Sequence, residues 1–302
     1  MAQLIKLQDY ISRYETDMYK YPGQYIRAKK QHWKTMKQKW TEQRLELEQP
    51  PPPSEEDEPL SKWKRLFKRQ DKGEADQHPS PDPPTSVDEA KQVFLDDLFS
   101  VQLKWASSTL WEKSFLDPDY KHDKQLKYLL QRFPDTFLIM YCPLVKIKQA
   151  SMEINTILIG PTGIEIIHFM EASANSVIVP VDNRTWHIED AHSSSKIISP
   201  LVALNRSETY VKSVLSKYGI EFSYKKVIIA PENEFKSAKE NFHTSYIGKV
   251  DYQKWFENKR NLRSPLKYSQ LKAAEALVKH SQTTAIRRPE WDQEDQGFVS
   301  GE

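Results

Sequence analysis

The feature that most constrains the fold is a pair of apolar runs joined by a tight turn near the middle of the chain. Residues 153–159 read Glu-Ile-Asn-Thr-Ile-Leu-Ile, residues 160–163 read Gly-Pro-Thr-Gly, and residues 164–170 read Ile-Glu-Ile-Ile-His-Phe-Met. Runs rich in Ile and bounded by Gly and Pro are typical of β-strands, and so short a turn between them predicts an antiparallel hairpin. The chain is therefore expected to build a sheet around residues 153–170.

The remaining periodicity predicts a mixed α/β domain in which helices pack on a central sheet. Strand-like runs rich in Ile, Val, Phe and Tyr lie at residues 136–148, 153–159, 164–170, 176–181 and 224–230. The last run is almost wholly apolar, which is typical of a strand covered on both faces. Apolar residues at helical spacing predict helices at residues 87–111, 119–132, 200–218, 251–259 and 267–280.

Composition divides the chain into four parts. Residues 1–48 are predicted to form a basic helical segment. Residues 49–86 hold four consecutive prolines beside acidic and basic clusters, which favours an extended linker. Ser86 is the predicted N-cap that opens a compact domain over residues 87–282, and residues 283–302 carry no periodic pattern and are predicted to be a flexible tail.

The charge of the chain is informative in two local segments rather than in its sum. The 302 residues include 44 Lys and Arg against 42 Asp and Glu, a net charge of +2. Basic residues are combined with tryptophan within residues 20–40 and again within residues 62–69. The candidate nucleic-acid-binding residues are Lys29, Lys30, Trp33, Lys34, Lys37, Trp40, Lys62, Trp63, Lys64, Arg65, Lys68 and Arg69.

Segments of this kind suit several partners. Lys and Arg head groups can neutralise phosphates, while Trp rings stack on bases or lie at a lipid headgroup interface. The sequence predicts DNA or another polyanion as a partner and leaves open a membrane surface and an ordinary solvated helix face. The aromatic N-terminal helices could equally join two copies of the chain in a homo-oligomer.

The cysteine count and the hydropathy pattern bear on the compartment. Cys142 is the single cysteine of the sequence, which excludes an intramolecular disulfide and a cysteine-ligated zinc cluster. The longest apolar run, residues 137–145, is interrupted by Pro143 and is too short to cross a bilayer, so no transmembrane segment is expected. The first ten residues lack the apolar core of a signal peptide. These features predict a cytoplasmic protein.

Residues 120–231 resemble the nuclease-related domain family, NERD, along their whole length. The motifs that carry the resemblance are the helix at residues 123–134, the Glu-Ile-Asn of residues 153–155, the turn at residues 160–163, Trp186, and the Ser-Pro-Leu-Val-Ala of residues 199–203. The resemblance implies a restriction-endonuclease-like fold, which is a mixed sheet flanked by helices. The N-terminal helices would then be an extension of that fold.

The resemblance also implies where a nuclease site would lie. In that family an Asp and a Glu are taken to hold Mg²⁺ beside the scissile phosphate, while a Lys activates water. Asn155, His168 and Met170 stand at these three positions, Asp123 replaces a Glu of the opening helix, and Ala203 replaces a Gln. A hard divalent cation needs anionic oxygens, which neither a neutral amide nor a thioether supplies. These five residues are therefore candidate but degenerate catalytic positions.

Strand alternation indicates whether a neighbouring acid could compensate. His168 and Met170 share one face of the second strand, while Glu165 points to the other face and cannot replace the lost carboxylate. Glu153 shares a face with Asn155 and is the candidate residual acid. Residues 187–195 are rich in His, acids and Ser, and we interpret them as a polar loop rather than as a metal site or a nucleophile.

The leading prediction is a NERD-domain protein that has lost catalysis and acts in nucleic-acid binding or scaffolding, without a metal or other cofactor. The first alternative is an active metal-dependent DNA nuclease that uses Mg²⁺ or Mn²⁺ at a site moved to Asp123, Glu153 and His168. The second alternative is a protein–protein interaction module that binds no nucleic acid. The replaced motif positions incline the prediction against an enzyme.

Overall fold

The computed structural model describes residues 1–48, 84, 86–190, 193–236 and 243–288 of the chain. The chain forms two compact units. The first consists of residues 1–28 and of the chain from residue 97 onward, and the second consists of residues 29–96. The sheets belong to the first unit.

The helices of the described residues are α1 (Arg13–Thr16), α2 (Tyr21–Glu48), α3 (Val87–Trp105), α4 (Lys124–Arg132), α5 (Leu201–Lys217), α6 (Lys249–Arg260) and α7 (Tyr268–His280), with a 3₁₀ helix at Pro118–Lys121. The strands are β1 (Gln3–Leu7), β2 (Glu112–Lys113), β3 (Leu138–Tyr141), β4 (Leu144–Ile147), β5 (Ala150–Glu153), β6 (Thr156–Gly160), β7 (Gly163–Phe169), β8 (Val177–Pro180), β9 (Thr185–Glu189), β10 (Ser194–Ile198), β11 (Tyr224–Ile229), β12 (Glu234–Phe235), β13 (Thr244–Ile247) and β14 (Ile286–Arg287).

A mixed six-stranded sheet forms the centre of the first unit, in the order β1-β3-β6-β7-β11-β13. β6 and β7 pair in antiparallel orientation, from Thr156 opposite Ile167 to Gly160 opposite Gly163, so the predicted hairpin is present. β11 runs parallel to both β7 and β13, and β1 runs parallel to β3. The predicted α/β class, with a mixed sheet and helices, is confirmed.

Helices cover both faces of this sheet. α5 packs on β7 and β11 and contacts α7, where the Tyr210 hydroxyl donates a hydrogen bond to the Leu277 carbonyl at 2.6 Å. On the other face, α6 sends Lys259 to Glu165 of β7 at 2.5 Å. Burying large apolar side chains between such layers stabilises a fold by about 1.5–3 kcal/mol each. The fully buried residues of this core include Leu138, Ile157, Ile166, Leu204 and Ile228.

The first residues of the chain form a strand, whereas the sequence predicted a helix there. All five residues of β1 are buried, and β1 pairs with β3 at the edge of the central sheet. A short strand that is buried on both faces shows no apolar–polar alternation, so its apolar residues also match helical spacing. Residues 1–28 accordingly belong to the first unit rather than to a separate N-terminal segment.

A smaller, four-stranded sheet has the order β10-β9-β8-β12. Trp186 on β9 is fully buried, and the centroid of its ring lies 5.8 Å from that of Tyr246. Residues 185–189 and 194–198 are paired strands, although the sequence predicted a polar loop over residues 187–195. Strands rich in Ser and charged residues lack the apolar and β-branched composition by which strands are recognised.

The second unit contains the later part of α2 and the first part of α3. The ring of Trp33 lies 5.0 Å from that of Phe94, measured between centroids, and Trp40 Nε1 donates to the Pro84 carbonyl at 2.7 Å. Ser86 Oγ accepts a hydrogen bond from the backbone N–H three residues later at 3.1 Å, which is the predicted N-cap contact at the start of α3. Apart from Pro84 and Ser86, the predicted linker lies outside the described residues.

Residues 283–288 are integrated into the first unit, although the sequence predicted a flexible tail from residue 283. Thr283 Oγ1 accepts a hydrogen bond from Lys6 Nζ at 2.7 Å, and β14 pairs with β2. A strand of two residues is too short to show a periodic pattern, so no local signal predicts it. The remaining predicted tail, residues 289–302, lies outside the described residues.

Candidate functional site

Two predicted site residues, Asn155 and His168, meet across the β6–β7 hairpin. Asn155 Nδ2 lies 2.9 Å from His168 Nδ1. Ser207 of α5 joins them, because its hydroxyl accepts from the Asn155 backbone N–H at 3.0 Å and donates to Asn155 Oδ1 at 2.9 Å. Burial lowers the pKa of His168 below its ordinary value of 6.5, which favours a neutral ring that accepts from the amide. These three residues therefore satisfy one another's hydrogen-bonding groups between the sheet and α5.

The two acids of the predicted nuclease region have other roles in the structure. Asp123 is the N-cap of α4, where one carboxylate oxygen accepts from the Leu126 backbone N–H and the other from the Tyr141 hydroxyl, both at 2.8 Å. Glu153 Oε2 accepts from the Gln8 side-chain amide at 3.4 Å. Asp123 thus fixes a helix end, and Glu153 contacts the segment that follows β1.

Met170 and Ala203, the remaining predicted positions, serve the core and the helix. Met170 is buried, and the Ala203 carbonyl accepts from the Ser207 hydroxyl at 3.1 Å. His187 contacts Ser194 across β9 and β10 at 3.3 Å, while His192 lies outside the described residues. Within the part of the chain that the structure describes, no group of three or more His, Cys, Asp and Glu side chains is placed to hold a metal ion.

A second polar contact lies on the same face of the sheet, around Lys226 of β11. Lys226 is opposite Ile166 of β7, so its side chain shares the face of His168. Its ammonium donates to Glu208 Oε2 at 2.7 Å and to Asn205 Oδ1 at 2.9 Å, both on α5. The Lys226 side chain is 10% exposed. We use the name closed network for the six side chains of Asn155, His168, Ser207, Lys226, Glu208 and Asn205.

The opposite face of the same two strands carries a different arrangement. Glu165 of β7 lies opposite Lys225 of β11, and its Oε1 is 3.1 Å from Lys225 Nζ and 2.5 Å from Lys259 Nζ on α6. The Glu165 side chain is 6% exposed, and among the described residues its Oε2 has no hydrogen-bond partner. One carboxylate therefore stands against two ammonium groups, which leaves one positive charge in excess.

These residues line a cavity of about 600 Å³ at the end of the sheet where β7, β11 and β13 begin. A volume of this size is within the range of small-molecule sites. His243, just before β13, also lines the cavity and stacks on Tyr224, with ring centroids 6.0 Å apart and planes inclined by 24°. The cavity therefore combines a positive excess with an imidazole. Its lining residues are Thr162, Gly163, Ile164, Glu165, Phe222, Ser223, Tyr224, Lys225, His243 and Lys259.

The hairpin turn and the segment before β11 fix one wall of this cavity. The Ile164 backbone N–H donates to the Ser223 carbonyl at 2.8 Å, and the Ser223 hydroxyl donates to the Thr162 carbonyl at 2.8 Å. A Cβ atom at Gly163 would lie 2.9 Å from the Ser223 carbonyl oxygen, so a larger residue would push the two segments apart. The second glycine of the Gly-Pro-Thr-Gly turn is thus needed for this close approach.

The cavity is suited chemically to a phosphate or another anion. Two ammonium groups held by one carboxylate present fixed positive charge to a ligand, and charge-assisted hydrogen bonds to phosphate oxygens are among the stronger polar contacts. Because the site is partly buried, the attraction between these charges and an anion is stronger than it would be in bulk water. The imidazole of His243 in the same cavity adds a side chain that can both accept and donate a hydrogen bond.

The predicted nucleic-acid-binding tryptophans of α2 are engaged within the second unit. Trp33 and Trp40 are half-buried, the first against Phe94 and the second in its hydrogen bond to Pro84. The α2 candidates Lys30, Lys34 and Lys37 are exposed, and Lys29 is half-buried. The second candidate group, Lys62, Trp63, Lys64, Arg65, Lys68 and Arg69, lies outside the described residues. DNA or another polyanion as a partner, and a homo-oligomer, stay predictions.

Sequence reasoning missed Lys225, Lys259 and His243. One signal was available, because two consecutive lysines in an otherwise apolar strand must lie on opposite faces of the sheet. Lys259 and His243 come from other elements, and only the parallel pairing of β7, β11 and β13 brings them to the same cavity. The prediction that Glu165 faces away from His168 agrees with the contact between Glu165 and α6.

Comparison with known proteins gives one informative similarity. No family model and no solved structure matches the chain. A curated protein of Geobacillus stearothermophilus, named RNA 2′,3′-cyclic phosphodiesterase, is 43% identical to the chain over 114 residues. The match covers 34% of this chain and 36% of that protein, so the chain matches about a third of the relative's length.

This similarity contradicts the predicted function. The expected inactive nuclease-related module for nucleic-acid binding or scaffolding, and the two alternatives of a DNA nuclease and an interaction module, are wrong because the matched relative is named for phosphodiester hydrolysis of another kind. The resemblance to the NERD family itself is tested by none of these comparisons and stays a prediction. Among the helices of the described residues, none is both long enough and apolar enough to span a bilayer.

Proposed function

We propose that this chain is a phosphodiesterase that hydrolyses the 2′,3′-cyclic phosphate at the end of an RNA strand, with its site in the cavity beside β7, β11 and β13. The observation that carries the proposal is the placement of Lys225 and Lys259 on one carboxylate oxygen of Glu165, in a cavity that His243 also lines. The name of the G. stearothermophilus relative supports the choice of reaction. Because the match covers 34% of this chain, the substrate is part of the proposal.

The lysines account for binding of the phosphate. A cyclic phosphodiester carries one negative charge, which the one positive charge in excess in the cavity would balance. The Lys225 side chain is 44% exposed and the Lys259 side chain 20% exposed, so each ammonium group can donate a further hydrogen bond to a ligand while it keeps its contact with Glu165 Oε1. Negative charge on the phosphoryl oxygens is stabilised by fixed cations as water attacks.

His243 accounts for the proton transfers. Hydrolysis forms a bond between a water oxygen and phosphorus and breaks one bond between phosphorus and a ribose oxygen, which yields a phosphate monoester and a free ribose hydroxyl. The attacking water loses a proton and the leaving oxygen gains one. An imidazole can accept the first proton and return it to the leaving oxygen. Contact with the Tyr224 ring orients the imidazole of His243 in the cavity.

The proposal is tested with the full chain and a short oligoribonucleotide that ends in a 2′,3′-cyclic phosphate. We expect conversion of the cyclic end to a monoester, resolved by chromatography. His243→Asn should lower kcat about 100-fold or more, since general acid–base catalysis contributes roughly 10²–10⁴. The matched control is His187→Asn on β9, a half-buried histidine of the smaller sheet, which should keep the native rate.

Two results would contradict the proposal. One is that the native chain leaves the cyclic phosphate intact. The other is that His243→Asn, shown to be folded by its thermal unfolding curve, turns over as fast as the native chain. A cytoplasmic location belongs to the same proposal, and the single cysteine of the sequence, Cys142, is in keeping with a reducing compartment.

A further inference from the structure

We infer that residues 258–267, which include the end of α6 and lead to α7, bind the phosphates of the RNA strand next to its reacting end. The inference rests on the proposed function, because it names the part of the substrate beyond the cyclic phosphate. Residues 258–274 contain five basic residues and no acid, although the whole chain has 44 Lys and Arg against 42 Asp and Glu. We use the name basic segment for residues 258–267, which hold Lys259, Arg260, Arg263 and Lys267.

Both ends of the basic segment lie at the end of the sheet that carries the cavity. At the first end, Lys259 lines the cavity itself. At the other end, Gln270 in the first turn of α7 donates from its side-chain amide to the Ile159 carbonyl at 3.0 Å. Ile159 leads into the β6–β7 turn, where Thr162 and Gly163 line the same cavity. The basic segment therefore runs along this end of the sheet.

The burial of the basic segment alternates from residue to residue after α6 ends. The even-numbered residues of 262–266 are half-buried, and one of them, Leu266, packs against the core. The odd-numbered residues of 261–267 are exposed. An extended chain that lies with one side on the protein has this period of two. Arg263 and Lys267 therefore point to solvent on the same side.

The exposed cations of the basic segment are available to a ligand. Arg260, Arg263 and Lys267 are exposed, and none of them forms an ion pair with a carboxylate of the described residues. Glu257, the acid that precedes them on α6, accepts a hydrogen bond from the Gln253 side chain at 2.6 Å. The positive charge in excess in the cavity thus continues along the segment.

The spacing of these cations suits a chain of phosphates. Arg263 and Lys267 are four residues apart, which corresponds to about 13 Å at roughly 3.3 Å per residue of extended chain. Side chains so far apart would contact different phosphates of one strand. An Arg can hold a phosphate through two parallel hydrogen bonds, and a Lys can hold one as a point charge.

The outward side of the basic segment favours RNA over a lipid surface. Segments that bind at a membrane interface combine basic residues with large apolar side chains that enter the lipid. The two leucines of the basic segment, Leu262 and Leu266, are half-buried instead and lie on the side toward the protein. The segment also begins at Lys259 in the cavity, so a strand whose end occupies the cavity can continue onto it.

The test measures RNA binding without requiring hydrolysis. The probe is a fluorescein-labelled 12-nucleotide RNA with a 3′-hydroxyl end, and its dissociation constant for the full chain is measured by anisotropy over a series of salt concentrations. The variant combines Arg260→Gln, Arg263→Gln and Lys267→Gln. Each phosphate contact of a single strand contributes about 0.7 to the slope of log affinity against log salt concentration, so this slope should become shallower by about 2. At about 0.1 M salt, RNA binding should be roughly 100-fold weaker.

The matched control removes three exposed lysines near the other end of the sheet, where Asp123 contacts Tyr141 at the end of β3. It combines Lys121→Gln, Lys124→Gln and Lys146→Gln, which changes the net charge by the same amount. The control should keep the native salt slope. Arg263→Gln alone should make the slope shallower by about 0.7, and it keeps the test decisive if the triple variant fails to fold.

A second measurement relates the basic segment to hydrolysis. It compares kcat/KM for a 12-nucleotide RNA that ends in a 2′,3′-cyclic phosphate with kcat/KM for a mononucleoside 2′,3′-cyclic phosphate. The mononucleoside carries no further phosphate for the segment to bind. The ratio of the two values should be well above one in the native chain and in the control, and should fall toward one in the triple variant.

Equal salt slopes in the native chain and the folded triple variant would overturn the inference, as would an equal loss of affinity in the control. So would a native chain that ignores the RNA and binds vesicles of phosphatidylserine and phosphatidylcholine. If the triple variant loses RNA binding while the native chain hydrolyses no cyclic phosphate, the assignment of the basic segment stands and the proposed function fails. If hydrolysis is found and RNA affinity does not depend on the basic segment, the reverse holds.

Discussion

Lys225 and Lys226 are consecutive residues of β11, and they lie in opposite surroundings. Lys226 is 10% exposed in its side chain and belongs to the closed network, where Glu208 and Asn205 accept its hydrogen bonds. Lys225 is 44% exposed in its side chain, shares the Glu165 carboxylate with Lys259, and lines the cavity. These neighbouring residues therefore differ in their partners. The charge of Lys226 is balanced by Glu208, whereas Lys225 and Lys259 together carry one positive charge more than Glu165 balances.

This difference indicates which polar residues serve the fold and which are available to a ligand. Each side chain of the closed network has a partner within the network, at 2.7–2.9 Å, between the sheet and α5. A buried network of this kind is costly to disturb but has little to offer a ligand. The cavity instead holds an excess of positive charge and a buried Glu165 oxygen that has no partner among the described residues. Excess positive charge beside an open cavity makes this side of the sheet the candidate for binding an anion.

The largest expected effect is a loss of hydrolysis when Lys225, which lines the cavity, is replaced. Lys225→Met removes an ammonium group from the cavity while keeping a side chain of similar length. We expect hydrolysis of a 2′,3′-cyclic phosphate to fall about 100-fold, because loss of one group that stabilises transition-state charge costs roughly 10²–10³ in rate. The free energy of unfolding should change little, since Lys259 remains with Glu165. Steady-state kinetics and urea unfolding of the same preparation check both parts. If this variant hydrolysed the cyclic phosphate at the native rate, Lys225 would have no role in the reaction.

The neighbouring substitution should have the opposite effect. Lys226→Met leaves the Glu208 carboxylate without its cation beneath α5, and breaking a buried ion pair costs about 3–5 kcal/mol. Glu208 is 23% exposed in its side chain and can be partly hydrated, so we expect a loss of about 2 kcal/mol in the free energy of unfolding. Activity per folded molecule should be unchanged. If Lys226→Met were as stable as Lys225→Met, the assignment of a structural role to Lys226 and of a ligand-binding role to Lys225 would be wrong.

How far the sequence predicts this molecule depends on whether a signal is local. The β6–β7 hairpin was predicted because its turn residues and apolar runs are adjacent in sequence. That hairpin also predicted that His168 and Glu165 face opposite ways. The helix predicted at the start of the chain is wrong because a short buried strand has no alternation to distinguish it from a helix. The pairing of β1 with β3 also joins residues that are far apart in the chain.

The site was less predictable than the fold for the same reason. Asn155 and His168 meet because the hairpin register places them together, but Ser207 reaches them from α5 and was not expected. The cavity depends on Lys259 from α6 and on His243 before β13, which no local pattern links to β7. A resemblance directs attention to positions where a related protein has its chemistry. The resemblance does not indicate that the excess positive charge lies on the opposite face of the sheet.

A smaller effect is expected within the closed network itself. Ser207→Ala removes the hydroxyl that bonds to both the backbone N–H and the side-chain oxygen of Asn155, leaving two polar atoms unpaired under α5. We expect a loss of about 1–2 kcal/mol in the free energy of unfolding. The control is Ser213→Ala on the exposed side of the same helix, where Ala should be neutral or slightly stabilising. Equal stability of the two variants would show that Ser207 is not part of a satisfied network.

The smallest effect concerns the response of the closed network to pH. Burial lowers the pKa of His168 in the folded chain below its ordinary value of 6.5, so the unfolded chain takes up this proton first as the solution is acidified. The stability associated with a neutral His168 is therefore complete above about pH 6.5 and is lost as the pH falls through the lower, folded-state pKa. Urea unfolding at pH 7.5 and pH 5 should show a smaller drop in midpoint for His168→Gln than for the native chain. The same drop in both chains would mean that protonation of His168 does not limit the fold, and that the network tolerates a charge it is arranged to exclude.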